Sequence, residues 1–178
     1  METPPALLTR DLATLRSWLK CRCRGTQRVG LIASSGAVRL IADGLPPSPR
    51  SNELDQVAHW FLKPKSDFRS SSALEVPLSE FVCQGLEIDY AGICWGGDLI
   101  WGDGWIARAM RSPRWQLVNK SENRSFRLNV YRVLLTRARV GAAIYIPPGE
   151  AEDPTRPPQE FDQIFETLLA AGCCLLCE

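Results

Sequence analysis

Tyr131-Arg132-Val133-Leu134-Leu135-Thr136-Arg137-Ala138-Arg139, followed after Val140 by Gly141-Ala142-Ala143-Ile144-Tyr145-Ile146-Pro147, hands a helical repeat over to an unbroken apolar run. At about 100° per residue, Phe126 to Val140 places Phe126, Val130, Val133 and Leu134 on one apolar stripe. Asn129, Arg132, Thr136 and Arg139 fall on the polar side. Arg137 sits in the middle of the stripe. A guanidinium there cannot shed its proton, so it needs an anion or a set of hydrogen-bond acceptors. Three solutions stay open: an internal carboxylate, a frayed last turn that reaches water, or an anion from outside the chain such as a phosphate. The run Ala142 to Ile146 that follows suits a strand covered on both faces.

Working outward, helix and strand signals alternate. Thr9 or Asp11 caps a predicted helix through Leu12, Leu15, Trp18 and Leu19, closed by Gly25. Arg28 to Ala33 reads as a buried strand, Ser34-Ser35-Gly36 as a turn capping a short helix Ala37 to Ala42, and Pro46-Pro47-Ser48-Pro49 as a loop. A helix Glu53 to Leu62 closes before Pro64, Leu74 to Leu78 is strand-like, and Tyr90 to Trp95 is a second buried strand. Residues 98–119, rich in Trp, Gly and Arg, read as an irregular insertion. A last helix, Gln159 to Ala171, has Pro158 ahead of it and Gly172 behind it. Short buried strands alternating with helices give an α/β fold with a mainly parallel sheet flanked by helices, Val29–Ala33, Tyr90–Trp95 and Ala142–Ile146 being its interior strands. The expected organisation is an N-terminal helical segment over 1–25, one domain over 26–172, and a Cys-rich tail over 173–178.

Composition bounds the function. The 178 residues suffice for one core. With 21 basic and 20 acidic side chains there is no global pull toward nucleic acid, so any such contact must be local, as in the Arg-rich stretch Arg108 to Arg139. No run of about 18 apolar residues spans a membrane, and Met1-Glu2-Thr3-Pro4-Pro5 lacks a signal peptide's basic start and apolar core, so a cytoplasmic location is expected. The seven cysteines are an odd number, and reduced thiols are the default. A zinc site joining Cys21 and Cys23 to Cys173, Cys174 and Cys177 is the alternative, without a standard spacing. The single histidine, His59, reads as a packing residue.

The opening string resembles motif VI of superfamily-1 helicases, and Ser79-Glu80-Phe81-Val82-Cys83-Gln84-Gly85-Leu86-Glu87 resembles their motif V. Further stretches resemble the Schlafen group-3-like DNA/RNA helicase domain family. These are Ala33-Ser34-Ser35-Gly36, Trp60-Phe61-Leu62, Arg69-Ser70-Ser71, Leu74-Glu75-Val76, Cys94-Trp95-Gly96-Gly97-Asp98, and Pro148-Gly149 to Thr155-Arg156. The similarity runs from about Arg28 to Gly172.

That resemblance implies a RecA-like fold and an ATP-dependent motor. No G-x-x-x-x-G-K-[ST] loop occurs in the chain, and no acidic pair after an apolar strand suits magnesium, so it looks like a C-terminal RecA-like domain. ATP and Mg2+ would then belong to the complete enzyme, with an N-terminal RecA-like domain carrying Walker A as partner and single-stranded DNA or RNA as the track. Arg137 would be the catalytic arginine that reaches the γ-phosphate. Gly85, Glu87 and Gln84 would contact the nucleotide, Glu87 at the ribose, and Gln84 stands where UvrD-type relatives have lysine. Ser79 and Phe81 would lie along the nucleic acid, while Thr136 and Arg132 support Arg137. The aromatic-Arg pair of motif IV is replaced by Ile32 and Ala33, with Arg39 as its substitute at the nucleotide. Each residue keeps a plainer reading: Glu87 as a loop carboxylate, Gly85 as a turn glycine, and Thr136 as a helix back-bonder. Gly85, Glu87 and Arg137 are expected to converge on one partly exposed face, near the C-terminal ends of the strands or the loops beside them. The alternative to a motor domain is a stand-alone binding or regulatory module that kept the fold without ATPase activity.

Overall fold

A computed structural model describes residues 5–50 and 52–176; the first four residues and Cys177 lie outside the described residues. In chain order the elements are β1 (Leu7–Thr9), α1 (Leu12–Arg22), β2 (Val29–Ala33), a 3-10 turn (Val38–Asp43), α2 (Leu54–Leu62) and a second 3-10 turn (Ser71–Ala73). There follow β3 (Ile88–Cys94), β4 (Leu99–Trp101), β5 (Trp105–Arg111), β6 (Arg114–Leu117), α3 (Ser121–Leu135), β7 (Ala138–Tyr145), α4 (Pro158–Ala170) and β8 (Cys174–Leu175). Five strands form one parallel sheet in the order β2-β3-β7-β1-β8. Helices cover both faces, which makes this an α/β fold of the RecA-like kind.

The strand sequences explain that layering. Along β3, Ile88, Ala91 and Ile93 pack toward α2, α3 and α4, in a cluster with Trp60, Val130, Leu134, Ile144 and Ile164. Tyr90 and Cys94 pack toward the opposite face with Leu15, Leu19, Leu31 and Tyr145. Residues alternate across a strand, so a strand covered on both sides must be apolar at nearly every position. Gly92 marks the tightest approach. A Cβ there would meet Leu19 Cδ1 at 2.7 Å and Leu31 Cδ2 at 2.8 Å, so α1 lies directly on the strand. The start of α1 is fixed by Asp11, whose carboxylate accepts the Ala13 and Thr14 N–H groups at 3.2 and 2.8 Å.

Four expectations are revised. The N-terminal segment is part of the sheet: Leu7, Leu8 and Thr9 pair with Ala143, Ile144 and Tyr145, placing β1 inside it. Two apolar residues at the described start of the chain are too short a run to announce a strand on their own. Cys174–Leu175, within the expected tail, pairs with β1 on its other side. Residues 98–119 are ordered as a three-stranded antiparallel sheet, β4-β5-β6. Trp105 packs in a tilted contact on Trp95 and edge-on against Trp101 there, so the tryptophans that read as irregular are packing groups. Finally β2 is a terminal strand rather than an interior one. It is nevertheless buried along its length, because Leu78 bridges to Ile32 in parallel and closes the edge.

Candidate functional site at the two edges of the sheet

Parallel strands give the sheet one edge of strand starts and one of strand ends. The expected site residues divide between them. Ile88 pairs with Ala138, so Glu87 and Arg137 each stand one residue before the start of neighbouring strands. Gly85 and Glu87 share an open polar pocket with Thr26, Arg28, Phe61, Asp89 and Arg139 at that same edge. Gly85 has φ +81, a left-handed turn that disfavours a side chain. Glu87 and the Arg137 backbone therefore stand at the strand starts, opposite to the strand ends expected, and Arg137 does not line the pocket that Gly85 and Glu87 share. The chain enters β3 and β7 from the loop of residues 79–87 and from α3, and both deliver their last residues there.

Helix α3 ends at Leu135, so Arg137 is outside it, in the turn into β7. The wheel drawn through Val140 overruns the helix by a full turn. Arg137 is half-buried, and its Nε is shielded with no hydrogen-bond partner; among the described residues no carboxylate pairs with it. Its charge is felt by Cys83 in the loop beside it. Burial pushes the Cys83 thiol up, and the Arg137 guanidinium pulls the other way. Glu87 is exposed and faces Arg139 at 3.7 Å, both side chains largely in water. Gln84 is exposed too. Thr136 Oγ donates to the Arg132 and Val133 carbonyls at 3.0 and 3.1 Å, closing the helix end rather than touching the Arg137 side chain. Arg132 donates to Asn129 Oδ1 at 3.1 Å, one turn back.

Arg39, Ser79 and Phe81 lie at the other edge. Arg39 is on the 3-10 turn after β2 and pairs with Asp153 at 2.5 Å, so it is separated from Glu87 and Arg137 by the length of the strands. Its expected place at the nucleotide is corrected accordingly. Ser79 is buried and its N–H donates to Ser48 Oγ at 2.9 Å. Phe81 is 54% exposed, and its ring stacks on Phe126 of α3 at 6.0 Å between centroids. Ser79 and Phe81 line a cleft of about 410 Å3 with Ser35, Leu40, Leu45 and Arg50.

Behind that cleft is a polar cluster that the sequence reading missed. Asp98 is fully buried just after β3. It accepts from Ser34 Oγ at 2.6 Å and from Tyr131 Oη at 2.7 Å, and it pairs with Arg127 at 2.9 Å. Gly96 N–H in turn donates to Tyr131 Oη at 3.1 Å. Burial pushes the Asp98 carboxyl up, opposed by the charge of Arg127 and the hydroxyl donors. Glu80 closes the same corner by accepting the Ser35 N–H and Oγ–H at 2.7 and 2.6 Å. The signal was an aspartate directly after an apolar strand and two glycines, with Arg127 and Tyr131 one helical turn apart. Sequence alone does not say that these distant residues meet.

The chain belongs to the Schlafen group 3 DNA/RNA helicase domain family, whose sequence model matches residues 5–148. No curated protein and no solved structure matches it. Among the described residues no helix is long and apolar enough to cross a membrane, and no group of three or more His, Cys, Asp or Glu could hold a metal ion.

Proposed function

We propose that this domain is the second RecA-like domain of a UvrD-type superfamily-1 helicase, working in the cytoplasm. It would contribute the 79–87 loop and Arg137 to an ATP site shared with a Walker-bearing domain. The observation that carries this reading is Arg137, whose shielded Nε has no hydrogen-bond partner among the described residues. A guanidinium left half-buried and unpaired is costly unless an anion from outside completes it. That feature fits the phosphate end of a nucleotide. The donor set does not fit magnesium, which would be held by the partner domain.

ATP, when bound with Mg2+, would supply the transferable phosphoryl group. The residues of this chain then have defined work. Arg137 stabilises charge on the phosphoryl oxygens, a contribution worth about 10³–10⁵ in rate for an arginine supplied across an interface. Glu87 can leave Arg139 for a ribose hydroxyl, because an exposed pair at 3.7 Å holds it weakly. Gly85 and Gln84 shape the turn beside it. Thr136 and Arg132 hold the end of α3 from which Arg137 emerges. Phe81 faces single-stranded DNA or RNA at the opposite edge, with the buried Ser79 in the cleft wall behind it.

The test is reconstitution. The 178-residue chain is mixed with a Walker-bearing RecA-like domain, and ATP hydrolysis is followed with and without single-stranded nucleic acid. Turnover that needs both chains and rises with nucleic acid is expected. Equal turnover by the isolated chain, or none from the mixture, would refute the reading.

A further inference from the structure

The small antiparallel sheet turns from β4 into β5 through Gly102-Asp103-Gly104, where the Gly102 N–H donates to the Gly104 carbonyl at 3.0 Å. Between that turn and α4 is an open cavity of about 530 Å3, walled by Trp101, Asp103, Ile106, Gln163 and Glu166 among others. Trp101 is partly exposed there. It is braced from behind by Trp105, edge-on at 5.0 Å between centroids with 78° between planes, and Trp105 leans in turn on the buried Trp95. The cavity therefore has one rigid indole wall, held in place by two further indoles of the core.

Charge on the remaining walls has a single sign. Two of the three acids of α4 are taken, Glu160 by Arg108 at 2.6 Å and Asp162 by Arg10 at 2.7 Å. The third, Glu166, is exposed, as is Asp103 on the facing turn, and neither carboxylate makes a hydrogen bond or ion pair among the described residues. Residues 95–107 and 157–178, which supply every wall of the cavity, contain no Lys, Arg or His. An indole face attracts cations as a carboxylate does, so both kinds of wall favour the same ligand. Two carboxylates without a third ligand do not suit a metal ion, and no group of three or more His, Cys, Asp or Glu forms a metal site among the described residues. An ammonium is a compact, strongly hydrated point charge that gains little from an indole. A guanidinium is planar and weakly hydrated, lies flat on an aromatic face, and carries N–H donors at its edge for carboxylates.

We propose that this cavity binds an arginine side chain of a partner protein segment. The guanidinium plane rests on Trp101, and its edge donates to Asp103 and Glu166, with Gln163 beside them. The site uses none of the residues assigned to nucleotide or nucleic acid, so it stands whether or not that reading does.

The experiment measures binding of the isolated chain to a short fluorescent peptide alternating arginine with glycine. Two matched peptides carry lysine, or the neutral isostere citrulline, in place of arginine. The arginine peptide should bind about fivefold more tightly than the lysine peptide, and the citrulline peptide should show no saturable binding. Asp103→Asn and Glu166→Gln should each weaken the arginine peptide about threefold to fivefold, whereas Glu152→Gln, an exposed acid outside the cavity, should not. Trp101→Leu should remove the preference for arginine over lysine and Trp101→Tyr should keep it. Thermal melting of each variant separates a lost wall from a lost fold, and the two carboxylate variants, both at exposed positions, carry the test if Trp101→Leu unfolds. The proposal is overturned if the citrulline peptide binds equally well, or if the lysine peptide binds as tightly as the arginine peptide. It is also overturned if both carboxylate variants bind as the parent does, or if Glu152→Gln weakens binding as much as they do, which would reduce the effect to overall charge. Competition by Mg2+ or Ca2+ at concentrations where sodium of equal ionic strength has no effect would make it a metal site instead.

Discussion

Arg127 and Arg137 are ten residues apart at the two ends of one stretch, yet the protein treats them in opposite ways. Arg127, on α3, is held at 2.9 Å from the fully buried Asp98 and donates to Ser34 at 2.6 Å. Arg137, just past the end of α3, has no carboxylate partner among the described residues and an Nε without a hydrogen bond. The difference teaches how to separate a structural arginine from an available one. Burial alone does not distinguish them, but the company kept by the guanidinium does. At the strand ends the sheet is cross-tied by Asp98, Ser34, Arg127 and Tyr131; at the strand starts it is left open.

Breaking the tied end should have the largest effect on stability. Asp98→Ala leaves Arg127 buried without its anion and should cost about 3–5 kcal/mol, read by chemical denaturation, whereas Arg137→Ala should cost about 1 kcal/mol or less. Equal losses from the two substitutions would erase the distinction. Next in size, Gly92→Ala pushes a methyl group to 2.7 Å from Leu19 and 2.8 Å from Leu31. Overpacking of that kind should remove about 1–3 kcal/mol, and an unchanged melting temperature would mean that α1 is not seated on β3.

The contrast between closed and open regions extends to the thiols. Cys94 is buried and its pKa is pushed to about 12, so it should resist alkylation in the native state while the exposed Cys21 and Cys174 react. Mass mapping of the labelled chain checks this, and early labelling at Cys94 would contradict the packing described. The smallest effect belongs to the cap of α1. Asp11→Ala should cost about 1 kcal/mol. The Thr14 hydroxyl and the Thr14 N–H hold the Asp11 carboxyl below its usual value of 3.8. A depressed folded value means that this stabilisation is present above 3.8 and lost as pH falls through the folded value. The gap between parent and variant should therefore narrow in acid, and a gap that widens would contradict the cap.

Much of this was legible in the sequence. The apolar runs of β2, β3 and β7 named themselves, because a strand covered on both faces has no polar alternation to hide behind. Asp11 and Pro158 marked helix starts through local chemistry. What escaped was long-range. Leu7–Thr9 looks like a leader to α1, and only its pairing with Ala143, Ile144 and Tyr145 makes it a strand. Arg39 was expected at the nucleotide in place of the motif IV arginine, and Asp153, 114 positions away, pairs with it. Arg137 was singled out as an arginine in need of an anion, on a helix that stops two residues earlier. Periodicity locates an apolar face, yet it does not say where hydrogen bonding ends.

The most direct test of the central claim is the effect of Arg137→Ala and Arg137→Lys in the reconstituted pair of domains, with turnover and nucleotide affinity measured separately. If Arg137 is kept unpaired for a phosphate, alanine should lower turnover by about 10³-fold or more while nucleotide affinity changes far less. Lysine should rescue little, since a point charge does not reproduce the planar fork. Undiminished turnover in Arg137→Ala, or a loss that merely follows a fall in melting temperature, would contradict the account.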